Sequence, residues 1–100
     1  MIDYTRPSTP AGFESISLAD TSTVHTLTIP TDARYAKVKA LTQAVRVRLD
    51  STSPTSLSGF SIAANGEIDL ISYDELAGFK AVAQVNGAVL EVLYYKIWHT

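Results

Sequence analysis

At 100 residues, with 46% hydrophobic and 18% charged side chains and a formal net charge of -2, the chain is one domain's worth of sequence. It has enough apolar content to build a core, which excludes wholesale disorder. The absence of cysteine excludes a disulfide scaffold, a thiolate zinc site and a cysteine nucleophile, and no basic excess drives nucleic-acid binding.

Residues 1–12 hold Pro7, Pro10 and Gly12 among small polar residues without alternation, and predict an extended N-terminal arm. Such an arm is either a frayed terminus or a segment that orders against a partner. From Phe13 the chain alternates with period two. Phe13, Ser15, Ser17 and Ala19 are offset from Glu14, Ile16, Leu18 and Asp20. A second run covers Val24 to Ile29, closed by Pro30-Thr31-Asp32. In the third, Ala36, Val38 and Ala40 oppose Tyr35, Lys37 and Lys39, and in the fourth Val45, Val47 and Leu49 oppose Ala44, Arg46 and Arg48.

Asp50 to Gly59 reads as a polar loop containing Pro54. Asn65-Gly66 between Ser61–Ala64 and Glu67–Ser72 predicts a hairpin, as does Asn86-Gly87 between Phe79–Val85 and Ala88–Tyr95. The type I′ turn that Asn-Gly favours needs positive φ at both central positions. Between them, Ser72-Tyr73-Asp74-Glu75 has capping-box spacing and predicts one short helical turn ended by glycine. The 21 Ser and Thr, and the 26 β-branched residues, fit sheets with polar outer faces. About eight short strands without a long helix predict a single all-β domain over residues 13–100, a small β-sandwich or barrel.

The start Met1-Ile2-Asp3-Tyr4 lacks the features of a secretory signal. The longest uncharged run, Ser51 to Gly66, is too polar for a membrane span, so a soluble chain made in the cytoplasm is expected.

Catalytic material is sparse. His25 lies in a strand and His99 is penultimate, and no spacing groups either with a nucleophile, an acid pair or a metal set. No enzymatic activity, cofactor or metal is expected. Arg34, Lys37, Lys39, Arg46 and Arg48 place five of the eight cations within fifteen residues that hold no acid. Paired strands would crowd these cations, so acids such as Glu67, Asp69 or Glu91 are expected nearby, within the subunit or across a boundary. The result is either a solvated face of mixed sign or a contact surface of complementary charge.

The last strand sets Leu90, Val92 and Tyr94 against Glu91, Leu93 and Tyr95, followed by Lys96, Ile97 and Trp98. Apolar bulk on both faces calls for a second cover, either a subunit contact or the N-terminal arm. Tyr95 and Trp98 would also suit a sugar platform.

The segment Ala44 to Asp50, the Pro54-Thr55 loop, the Gly66 hairpin, Ser72 to Ala81 and the closing Leu90 to Tyr95 together resemble small β-rich virion proteins of tailed bacteriophages, over roughly residues 23–95. Those chains serve as head decoration or head-fibre subunits, often as trimers. The resemblance implies a homotrimeric capsid decoration protein, made in the host cytoplasm. It would bind the major capsid protein lattice on the head surface and stabilise it. Tyr4, Arg34, Lys37, Lys39, Arg46 and Arg48 are the candidate capsid contacts, and Leu93, Tyr95, Ile97 and Trp98 the candidate subunit interface. The alternative is a tail-fibre or baseplate module that binds a host-surface glycan. Neither reading involves nucleic acid or membrane.

Overall fold

A computed structural model describes residues 8–97. The strands are β1 (Ser8–Leu18), β2 (His25–Thr26), β3 (Tyr35–Leu41), β4 (Val45–Arg48), β5 (Phe60–Ile62), β6 (Glu67–Leu70), β7 (Lys80–Ala83) and β8 (Ala88–Ile97), with helix α1 (Tyr73–Gly78) before β7. They form two antiparallel four-stranded sheets, β1-β8-β3-β6 and β2-β7-β4-β5. Every connection except β4 to β5 carries the chain from one sheet to the other. That order, two interleaved Greek keys over eight strands, is a jelly-roll sandwich. The all-β expectation and the single short helix both hold.

Alternation decides which face each strand buries. In β3, Ala36, Val38 and Ala40 are buried while Lys37 and Lys39 point outward, and Val45 and Val47 of β4 are likewise buried between the sheets. Leu90, Val92 and Tyr94 are the buried set of β8. Among the described residues no polar or charged residue falls in the buried set, so the space between the sheets is filled mainly by apolar side chains.

Three expectations change. The arm predicted over residues 1–12 is a strand from Ser8 onward, paired with β8 from Ser8–Ile97 to Leu18–Ala88. β1 is an edge strand with a register shift between Pro10 and Gly12, which is how a ladder tolerates proline. The pairing also places these residues beside β8, in the plane of the sheet, rather than over its outer face. Second, neither Asn-Gly turn closes a hairpin: β5 and β6 belong to different sheets, as do β7 and β8. Only Asn65 (φ 66°) of the first pair and Gly87 (φ 89°) of the second has positive φ, so neither turn meets the type I′ requirement. Third, the run from Val24 to Ile29 pairs only at His25 and Thr26, against Ala81 and Lys80.

The helix follows its sequence signal closely. Glu75 N–H donates to Ser72 Oγ at 3.3 Å, and the Glu75 carboxylate accepts the Ile71 N–H at 2.7 Å, one residue earlier than a standard capping box. Gly78 ends the helix where the chain crosses Leu49. A Cβ there would lie 2.2 Å from the Leu49 carbonyl oxygen, so this crossing requires glycine.

Candidate functional site

With the core apolar, the features that can meet a partner lie on the outer faces and at the open edges. The outer face of the first sheet is read directly from its register. Phe13 stands opposite Leu93, Leu93 opposite Lys37, and Lys37 opposite Asp69, forming one row across all four strands. The next row runs Ser15, Glu91, Lys39, Glu67, and at the other end Tyr35 faces Tyr95. Lys37 Nζ lies 3.7 Å from Asp69 Oδ1. Phe13 is 59% exposed, and a shallow depression of about 190 Å³ lies among Phe13, Leu93, Lys37, Lys39, Glu67 and Glu91. The face is therefore an apolar strip beside two cations and three acids.

The five basic residues do not form one patch. β3 and β4 are in different sheets, so Lys37 and Lys39 occupy one outer face of the sandwich and Arg46 and Arg48 the other. The predicted crowding of cations is absent for that reason. Arg48 forms a charged pair with Asp50, its Nη2 2.5 Å from Oδ2, which raises the guanidinium pKa and holds the carboxyl below its usual range. Arg46 Nη1 donates to the Gly59 carbonyl at 2.9 Å. Arg34 is exposed, stands 5.7 Å from the Tyr73 ring centroid and donates to the Ala33 carbonyl.

Of the expected subunit-interface residues, Leu93 and Tyr95 lie on the same face as Lys37 and Lys39. Ile97 pairs with Ser8 at the end of β8. Tyr4 and Trp98 lie outside the described residues, as does His99. His25 is half-buried in β2 and does not line the depression beside Phe13.

A second feature had no signal in the sequence. A groove of about 820 Å³ runs between the edge strands β5 and β6. Val47, Leu49, Phe60 and Ile68 give it an apolar lining, while Arg48, Asp50, Asp69 and Glu75 supply its polar rim. Phe60 is 63% exposed. Among the described residues no group of three or more His, Asp or Glu is arranged to hold a metal ion.

No family model matches the chain, and no curated protein matches it. A solved structure of dTDP-4-dehydrorhamnose 3,5-epimerase from Bacillus anthracis, with TDP and pyrophosphate bound, is similar in fold, with a TM-score of 0.55 at 13% identity. The likeness covers 92% of this chain but 55% of that one, so the chain spans just over half the length of the enzyme it resembles. At that identity the match describes the fold alone.

Proposed function

We propose that this chain is a structural subunit of a tailed-bacteriophage virion, a homotrimeric decoration protein that binds the outside of the head. In this reading it performs no catalytic step. The observation that carries it is the outer face of the first sheet, where Phe13, Leu93, Tyr35 and Tyr95 lie in register beside Lys37, Lys39, Glu67 and Glu91. An apolar strip with charged neighbours is the composition of a protein contact rather than of a reaction site. The core among the described residues is built of hydrophobic residues, and the polar contact that reaches into it, the Tyr94 hydroxyl on the Glu14 carboxylate, ties neighbouring strands together. The assignment to a phage head rests on the resemblance carried by Ala44–Asp50, Ser72–Ala81 and Leu90–Tyr95.

Physically, a protein that binds the assembled lattice and not its free subunits stabilises the lattice by mass action. A trimer multiplies weak contacts through effective concentration. In this reading Leu93 and Tyr95, with Lys37 and Lys39 beside them, serve the subunit contact, and Arg46 and Arg48 on the opposite outer face serve the shell. The test is co-sedimentation with expanded capsids, with sedimentation velocity of the protein alone at micromolar concentration. Binding to capsids and a trimer are expected. A monomer overturns the trimer, and failure to bind overturns the decoration role.

The second reading, a glycan-binding tail-fibre or baseplate module, is favoured by one observation: Tyr35 and Tyr95 face each other across neighbouring strands of that outer face. It predicts glycan-array binding that Tyr95→Ala abolishes without unfolding the protein.

A further inference from the structure

β6 is the outermost strand of the first sheet. It pairs with β3 on one side and, among the described residues, with no strand on the other. Its sequence, Glu67-Ile68-Asp69-Leu70, alternates acid and apolar, and β3 displays the kind of partner such a strand accepts. Lys37 stands opposite Asp69 and Lys39 opposite Glu67, while Val38 meets Ile68 and Ala36 meets Leu70. Each acid thus gains a cation on the outer face, and each apolar residue an apolar neighbour on the inner one.

The open side of β6 borders the groove, where Leu49 and Phe60 extend the apolar surface beyond Ile68. The edge carries neither the proline nor the bulge that commonly protects an edge strand, and the charges on it are the acids Glu67 and Asp69, which repel acidic strands but not basic ones. Pairing with β6 of a second copy is disfavoured, because Glu67 and Asp69 would meet carboxylates across the ladder. The same acids, with Asp50 and Glu75 on the rim against the one cation Arg48, favour a basic partner. The Glu75 carboxylate already accepts the Ile71 N–H, so the open edge ends at Leu70.

We infer that the open edge of β6 and the groove beside it bind an extended peptide segment of alternating basic and apolar residues, which adds a strand to the first sheet. Main-chain hydrogen bonds hold the segment, its basic side chains lie beside Glu67 and Asp69, and its apolar ones enter the groove. The inference does not depend on the virion reading.

The probe is a fluorescein-labelled peptide with the sequence of Tyr35–Leu41, the segment that pairs with β6 within the fold. Titration of the intact protein is expected to give saturable anisotropy. Replacing both lysines of the peptide by glutamate should weaken binding by about tenfold, as expected for two cross-strand charge pairs turned repulsive, and Glu67→Lys in the protein, which turns one, by about threefold. Amide resonances of Ile68 and Leu70 should shift on binding. Absence of saturation, equal binding by the glutamate peptide, or shifts confined to another edge overturns the inference. So do shifts throughout β3, which signal strand exchange rather than addition.

Discussion

The buried Tyr94 of β8 donates its hydroxyl to Glu14 Oε2 on the neighbouring β1, and the same carboxylate oxygen accepts the Thr28 N–H at 2.9 Å. One carboxylate thereby joins the two longest strands to the segment that follows β2. Tyr94→Phe keeps the ring and removes the donor. A loss of about 1–3 kcal/mol is expected from the uncompensated carboxylate, read as a lower urea midpoint with an unchanged slope.

The same contact sets the behaviour in alkali. Burial first, then the hydrogen bond and charge of Glu14, push the Tyr94 hydroxyl above its ordinary value of 10. A group raised in the folded state contributes stability that is fully present below its unfolded value and lost as pH rises through the folded one. Absorbance titration of the five tyrosines should therefore find one that ionises only with unfolding, and Tyr94→Phe should remove that step.

Asp20 gives the acid counterpart. Its carboxylate accepts N–H bonds from Ser22 at 2.9 Å and Thr23 at 2.8 Å, and these hold its pKa at about 2 against an ordinary 3.8. The contribution of this turn is present above pH 3.8 and lost as pH falls toward 2. A carboxyl titration by NMR should place the Asp20 midpoint near 2, and Asp20→Ala should return the Ser22 and Thr23 amides to solvent-like exchange.

Gly78→Ala tests the crossing of α1 over the segment after β4. The added methyl meets the Leu49 carbonyl at 2.2 Å, and backbone must move to relieve it. Destabilisation of about 1–3 kcal/mol or more is expected in denaturant titration, with loss of the Ser51 N–H bond to the Gly78 carbonyl.

Leu90 and Leu93, three positions apart in β8, should separate core from contact surface. Leu90 is fully buried, and Leu90→Ala should cost about 2–5 kcal/mol. Leu93 faces outward beside Phe13 and Lys37, so Leu93→Ser should leave the unfolding midpoint nearly unchanged, and if the proposed trimer forms through this face it should dissociate it in sedimentation.

Strand positions were legible because burial on one face imposes period two, which Ala36, Val38 and Ala40 display without any knowledge of partners. The cap on α1 was legible for the same local reason. What failed was pairing. Asn-Gly fixes a local turn but does not say to which sheet the next strand goes, and in this fold both such turns change sheet. The division of Lys37 and Lys39 from Arg46 and Arg48 follows from that same missing information. So does the alignment of Phe13 with Leu93, residues far apart in the chain whose register only the folded sheet defines.

The place of β8 between β1 and β3 also governs how the protein comes into being. During translation, β1 and β3 have no shared neighbour until the segment from Ala88 to Ile97 leaves the ribosome. The first sheet therefore closes only once β8 has emerged, and until then β1 and β3 carry their apolar faces without the strand that joins them.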